Sequence, residues 1–514
     1  MLTAVARRHV AVILICATVS GCTAPAATAR PVPSPAPTLA PPATVIASAS
    51  STPTVTLRPT VTLTPAPTIT PAAPLSQSGP WLIFLATSGG GPSHLWAANP
   101  DGSAVRELTS ETVFTYDVRP RRVADGQAQI AYISSSDELG RVNLTLKLLT
   151  LPDGKSRTLT RLTSAETAYI PNDATPDWKT SQIIFGLNDW SNVTWSPDGR
   201  WLAFGGAQNG PSIDVYSYEV ATGEIRRLTS GPDHATNLAW SSDSHFIVHT
   251  TASYFDAEGG PDTHGVWAVR PDGSQIIQLE DPAQKQRVAW LAEIAPDRFV
   301  ALDTQQGYFG PLRLLTIAAG ESQPIGGDRA FEDLEFDCTD HVILVYAHFK
   351  SEGFSRVGWY LLEVSGKPTY ITDRDEGKIS WDNVAQLFVV TPIDKLPFGI
   401  TPGGKVIDTP DLPPFRGYPS PDGKMSVLIP RLESPAPGIY LSRSGESPME
   451  VSGQHNTYYG VRWSQDSQSF VYASDSEILA AHAPDFIPVK VSGDLAEPSS
   501  PYGGSVYWFA FWTP

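Results

Sequence analysis

From position 79 onward the chain is built of short apolar runs, each about four to six residues long and closed by a turn signal. The clearest unit spans 192–230. Asn192-Val193-Thr194-Trp195 predicts a short strand. Ser196-Pro197-Asp198-Gly199 predicts a turn, in which Pro presets φ, Asp caps and Gly accepts positive φ. Residues 200–204 predict a second strand, and 213–218 alternate as a third. Ala221-Thr222-Gly223 turns again, and 224–229 complete a fourth strand. Four short strands with tight turns, recurring roughly every 40 to 50 residues, predict a β-propeller blade.

Other units keep the same phase. Leu238-Ala239-Trp240-Ser241-Ser242-Asp243 and Val461-Arg462-Trp463-Ser464-Gln465-Asp466 repeat the first strand and its turn. Tyr418-Pro419-Ser420-Pro421-Asp422-Gly423 keeps the turn and loses the Trp. The third strand and its turn recur as Leu95-Trp96-Ala97-Ala98-Asn99-Pro100-Asp101-Gly102 and Val266-Trp267-Ala268-Val269-Arg270-Pro271-Asp272-Gly273. The fourth recurs as Arg106-Glu107-Leu108-Thr109. These residues resemble the WD40-like propeller repeat (PD40 type) of TolB and of the propeller domains of prolyl-oligopeptidase relatives.

The two ends match one repeat. Phe511-Trp512-Thr513-Pro514 reads like Thr194-Trp195-Ser196-Pro197, and Gly79-Pro80-Trp81-Leu82-Ile83-Phe84 like 199–204. The C-terminus is therefore expected to supply the first strand of a blade whose other strands are N-terminal, interlocking the ring and leaving no open edge. The expected fold is all-β, a single propeller over 79–514 with about eight blades, seven to nine being allowed. Turn positions number nine, but those near 296, 339 and 383 are degenerate. Neither a hydrolase domain nor the N-terminal α/β domain of TolB is expected in addition. Trp81, Trp195, Trp201, Trp240, Trp463 and Trp512 sit in repeat phase and are expected in the core.

Strand direction alternates within a blade, so turns after strands one and three share one face. They are short and rich in Asp-Gly. Connections after strands two and four share the other face and include 165–190, 251–264, 304–311, 348–357, 391–398 and 430–437. Binding groups concentrate on long loops over a rigid scaffold, so this is the candidate functional face. Its candidate ligand-binding residues are Trp178, Trp190, Tyr254, Phe255, Asp256, Tyr308 and Phe309. Aromatic rings beside carboxylates suit a protein, peptide or glycan partner. The alternative is that these aromatics cover loop ends and pack onto the ring. Gly79 and Pro514 are expected on the short-turn face and Gly259 on the opposite one.

The first 78 residues differ in kind. They contain no Asp or Glu and only Arg7, Arg8, Arg30 and Arg58 as basic groups. Arg7, Arg8 and His9 precede an apolar stretch, 10–19, too short to span a bilayer. It ends in Val19-Ser20-Gly21-Cys22, which resembles the bacterial lipobox. The resemblance implies cleavage of 1–21, acylation of Cys22 and an extracytoplasmic chain held on a membrane by its lipid. Residues 23–78 hold 13 Pro and 12 Thr, a composition that cannot pack a core and favours extended polyproline conformations. The segment 22–78 is expected to be a disordered stalk.

All 53 acidic residues follow position 78, with 32 of the 36 basic ones, so the body carries a formal −21 against −17 for the whole chain. That excludes a nucleic-acid backbone and docking on anionic lipid as modes of binding. Beyond Cys16 and Cys22 the sole cysteine is Cys338, expected to be a buried, inert thiol. There is no Gly-x-Ser-x-Gly, no His-Glu-x-x-His and no phosphate-cradling glycine loop. Asp373-Arg374-Asp375-Glu376-Gly377 lacks the later ligands of an EF-hand and reads as a solvated turn.

His234, His245, His249 and His264 cluster in one unit. His234, His249 and His264 would lie near the long-loop face and are weak candidates for a Zn²⁺ or Mn²⁺ site. The TolB resemblance extends to oligogalacturonate lyases that use histidine-bound metal. Two functions are thus carried: a binding or scaffolding lipoprotein that needs no cofactor, and a metal-assisted carbohydrate lyase or hydrolase in the same place.

Overall fold

The computed structural model describes residues 74–88, 91–113, 119–122, 127–137, 142–168, 178–187, 193–256, 260–280, 287–304, 312–325, 338–339, 342–347, 355–363, 368–382, 385–392, 395–408, 415–430, 438–443, 446–452, 459–474, 477–495 and 510–513. Among them the strands form nine antiparallel blades of four strands, the second with its innermost strand in two pieces, Thr112–Val113 and Arg119–Arg122, both paired to Ala128–Ser135; the fold is an all-β propeller. Nine is the upper end of the expected range. The units near 296 and 339 have lost the in-phase Trp and the Asp-Gly signal, and that near 383 keeps a Trp, Trp381, without Asp-Gly, yet each builds a full blade, the fifth, sixth and seventh. Blade 1 combines Ala510–Trp512 with Leu82–Thr87, Ser93–Ala98 and Arg106–Glu107. Blade 3 comprises Thr194–Trp195, Trp201–Gly206, Asp214–Glu219 and Ile225–Arg227. Blade 4 comprises His234–Trp240, Ile247–Asp256, Gly260–Val269 and Ile276–Glu280.

The conserved phase of the repeat has a physical cause at each position. In the first turn the serine hydroxyl and the aspartate carboxylate close on the backbone. Trp201 N donates to Ser196 Oγ (3.0 Å), Arg200 N to Asp198 Oδ1 (3.0 Å) and Ser196 Oγ to Asp198 Oδ1 (2.6 Å). Ser241 with Asp243, Ser420 with Asp422 and Ser464 with Asp466 repeat the same bonds. The fourth residue of the turn has positive φ, 71° at Gly199 and 70° at Gly423. In blades 4 and 9 this position is Ser244 (65°) and Ser467 (60°), and the serine does a second job. Asp198 N donates to Ser244 Oγ (3.0 Å) and Asp422 N to Ser467 Oγ (3.1 Å), tying each turn to that of the preceding blade.

The fourth-strand signature is explained in the same way. Thr109, Thr229 and Ser492 turn their hydroxyls onto the third strand, accepting from Leu95 N (3.0 Å), Val215 N (2.9 Å) and Ile478 N (3.2 Å).

Apolar clusters lie between successive blades. The repeat-phase tryptophans fasten those seams: Trp240 Nε1 donates to Thr194 O (2.9 Å), Trp463 Nε1 to Tyr418 O (2.8 Å) and Trp512 Nε1 to Arg462 O (2.8 Å). Each bond crosses to the inner strand of the preceding blade. Trp81 is fully buried, and Trp201, Trp240 and Trp512 nearly so. Trp195 and Trp463 are half-buried and packed against the clusters.

The ring is interlocked as the termini implied. Leu82 pairs with Trp512, Ile83 with Phe511 and Phe84 with Ala510. Trp81 N donates to Thr513 Oγ1 (2.8 Å), and Thr513 N to Trp81 O (2.9 Å). The domain reaches further back than position 79. Leu75 is buried in the seam between blades 1 and 2, and Ser76 N donates to Asn99 Oδ1 (2.8 Å). Residues 74–78, assigned by composition to the stalk, thus belong to blade 1.

Candidate functional site

Strand order puts Gly79 and Thr513 at the turn between the first two strands of blade 1, on the short-turn face. Asp256 and Gly260 pair at the tip of the hairpin between strands two and three of blade 4, on the opposite face. Gly259 and Pro514 themselves lie outside the described residues.

Most of the segment expected as a loop, residues 251–256 and 260–264, is strand. Strands Ile247–Asp256 and Gly260–Val269 run on as a two-stranded ribbon beyond the length of their neighbours, with register shifts at Thr250/Thr251 and Ala252/Phe255. A shift of one residue changes which face a side chain occupies. Tyr254 is 42% exposed while the adjacent Phe255 is buried. Phe255 lies against Phe185 (6.3 Å between ring centroids) and His234 (5.1 Å). Of the two aromatics expected to bind ligand here, only Tyr254 faces solvent.

Phe255 is held down by a part of the 165–190 insertion that the sequence pattern left as loop. Trp178–Phe185 is a helix. Gln182 Nε2 donates to Phe255 O (2.5 Å), and Phe255 N donates back to Gln182 Oε1. Gly186 provides the bed: a Cβ there would stand 2.4 Å from the Phe255 ring. The insertion is anchored to blade 3, where Ala207 N donates to Leu162 O (2.7 Å) and Thr167 Oγ1 to Ala207 O (2.8 Å).

Beside the ribbon, polar groups converge. His264 Nε2 lies 3.3 Å from Asp233 Oδ2, and its Nδ1 lies 3.2 Å from Asp262 O. Ser253 Oγ donates to Asp262 Oδ2 (3.0 Å) across the two strands. On blade 3, Asp214 is buried against Arg227 (2.7 Å) and Thr229. Burial pushes its carboxyl up to about 6, although the guanidinium opposes the shift. Asp214, Asp233 and Gln182 carried no sequence signal. Asp214 is recognisable only as a polar residue opening the third strand.

The three weak metal candidates separate. His249 is buried on the second strand, its Nδ1 without a hydrogen bond among the described residues, and burial lowers its pKa to about 4. His234 is buried, accepts from Ile213 N at Nδ1 (3.1 Å), and burial lowers its pKa to about 4 against the pull of Asp233. Only His264 is turned toward a carboxylate. Among the described residues no group of three His, Cys, Asp or Glu side chains is placed to hold a metal ion. Trp190, Tyr308, Phe309 and Cys22 lie outside the described residues, as do the side chains of Trp178, Asp256 and Cys338.

No protein-family model matches the chain. An uncharacterized protein of Agrobacterium fabrum is 30% identical over 89 residues, which is 17% of this chain and 28% of that protein's length. Among solved structures, a eukaryotic initiation factor aligns over 85% of this chain and 98% of its own, at 14% identity and a TM-score of 0.46. TolB of Acinetobacter baumannii aligns over 64% of this chain and 63% of its own, at 14% identity and a TM-score of 0.29. The class is set by the strand pairing itself: a nine-bladed β-propeller, with TolB proteins among the structures it resembles.

Proposed function

We propose that this chain is a lipid-anchored, extracytoplasmic binding propeller that offers its long-loop face to a protein, peptide or glycan. The observation that supports this most is the inequality of the two faces. One is knit from turn to turn by serine and aspartate. The other carries the extended ribbon with exposed Tyr254, the docked helix and the polar group of His264, Asp233, Asp262 and Ser253. Such a face offers aromatic and hydrogen-bonding contacts of the kind that recognition uses.

The anchor rests on Cys22 and its lipobox. Cys22→Ala should abolish incorporation of labelled palmitate and release the chain to the soluble fraction or stall its processing. Normal membrane retention of the alanine variant refutes the anchor. For the binding role, a photo-crosslinker at position 254 on intact cells or spheroplasts should trap a discrete partner. A crosslinker at Asp101, on the short-turn face, should not. Equal products from both positions would refute the choice of face.

A further inference from the structure

The connection from the second to the third strand of blade 3, residues 207–213, lies on the long-loop face and holds the one Asn-Gly pair in the sequence, Asn209-Gly210. Asn209 is exposed. Its side chain makes one hydrogen bond among the described residues, donated from Nδ2 to the Tyr216 hydroxyl at a long 3.3 Å. Tyr216 is buried, with its ring stacked on Phe204 (5.5 Å). Gly210 has a φ of 155°, and its N–H donates to nothing among the described residues. The other three described asparagines differ. Asn99 precedes Pro100, which has no N–H. Asn143 and Asn237 precede the buried side chains of Leu144 and Leu238.

An asparagine amide is open to attack by the main-chain nitrogen that follows it. Nucleophile and amide carbon belong to adjacent residues, so closing a five-membered ring needs only rotation about the bonds of Asn209. Glycine brings no Cβ into the approach. Gly210 N has no hydrogen bond to give up, and the Asn209 side chain has one weak tether, on a phenol that packing keeps in place.

We propose that Asn209 is a site of spontaneous deamidation in the folded chain, restrained by the hydroxyl of Tyr216. Gly210 N bonds to Asn209 Cγ, and its proton passes to solvent. The Cγ–Nδ2 bond breaks, and the nitrogen takes a proton from water and leaves as ammonia. Water then opens the cyclic imide at either carbonyl, leaving aspartate or an isoaspartyl link. One water is consumed, one ammonia is released and nothing is oxidised or reduced. The product carboxylate accepts from Tyr216 where the amide donated to it. Arg227, paired with Asp214 (2.7 Å), has its Nη2 3.6 Å from where a Cβ at Gly210 would stand, so the new charge arrives beside an existing ion pair. The isoaspartyl product also lengthens the main chain close to Ala207, whose backbone holds the 165–190 insertion.

The test keeps the full-length chain at neutral pH and digests it at intervals with an acid protease, mass spectrometry following each asparagine. The same chain unfolded in urea is the reference. In the folded chain, position 209 should gain one mass unit as two separable products while Asn99, Asn143 and Asn237 stay intact. Asn209→Gln should gain none, because its longer side chain would have to close a six-membered ring. Tyr216→Phe keeps the stacked ring and should speed conversion of the folded chain about threefold, the order of one weak hydrogen bond, with no change in urea. A folded chain still intact at 209 after the unfolded one has converted overturns the site. An unchanged rate in Tyr216→Phe overturns the restraint. So does conversion at Asn237 rising in step, which would assign the gain to unfolding.

Discussion

Acidification should destabilise this propeller through two histidines that share one seam. His249 and His234 are buried in blade 4, and each has its pKa lowered to about 4 from 6.5 by burial. A group whose folded-state pKa is depressed contributes stability above its unfolded-state pKa and loses it as pH falls toward the folded value. Between about pH 7.5 and about pH 5 each histidine therefore removes about 2 kcal/mol, since the unfolded chain takes a proton that the folded one refuses. Asp214 acts in the opposite sense. Its pKa is raised to about 6 from 3.8, so its contribution is largest at low pH and is lost as pH rises through 6. It returns about 1 kcal/mol over the same interval, less than the shift alone implies, because the facing Arg227 is partly solvated. The three groups together should remove about 3 kcal/mol.

His249→Phe separates this effect from general acid denaturation. Phe fills a similar volume and removes the ring nitrogen that finds no partner among the described residues. Denaturant unfolding followed by tryptophan fluorescence at both pH values should show the stability difference of the variant smaller by about 2 kcal/mol. A variant that keeps the full difference would refute the assignment of the proton to His249. A variant much less stable at both pH values would show instead that His249 is needed for packing.

Trp512→Ala should cost about 3–5 kcal/mol and open the ring, because it removes a buried indole and its bond to Arg462 O together; thermal melts and light scattering check it. Glu280→Ala should cost about 3 kcal/mol, since Arg313 (2.6 Å, on the next blade) loses its buried counter-charge; Glu280→Leu with Arg313→Met should recover much of that. Ser467→Ala should lose about 1 kcal/mol with the bond from Asp422 N, and Ser467→Gly less, because glycine relieves the positive φ. Equal melting temperatures for the two Ser467 variants would contradict that partition.

The blades whose strands are signalled by a Ser-x-Asp turn or an inner-strand Trp were legible because those residues make the bonds that define the blade. Asp198 and Ser196 are spaced by the geometry of one turn, and Trp240 by the distance to the next inner strand. Blades 5 to 7 lack the Ser-x-Asp turn, and of the three only blade 7 keeps the in-phase Trp, Trp381, so their number could be bounded and not fixed. The helix Trp178–Phe185 was invisible because Ile183, Ile184 and Phe185 give no period that distinguishes helix from strand over so short a run. Its existence depends on a distant partner, Phe255, whose backbone Gln182 satisfies. The same pairing hid the fate of Phe255, since a ribbon with two register shifts no longer alternates simply between solvent and core. Leu75 was missed because a Pro- and Thr-rich neighbourhood masks a single anchoring residue.

The contrast between faces follows from where the blade-to-blade bonds lie. On the short-turn face the hydroxyl of Ser244 meets the backbone of Asp198, and Ser242 N meets Glu293 Oε1 (2.7 Å), so these turns are built to reach the next. Lengthening such a turn by one residue would displace a donor from its acceptor in the adjoining blade and leave buried polar groups unpaired. Connections on the other face have only to join strand ends, and the entropic cost of closing a loop rises slowly with its length. Insertions there are therefore cheap, and one that finds a surface, as the helix finds Phe255, becomes part of the domain. The rigid face thus excludes variety and the opposite face collects it, which is why the exposed aromatic and the polar group at His264 occur on the same side.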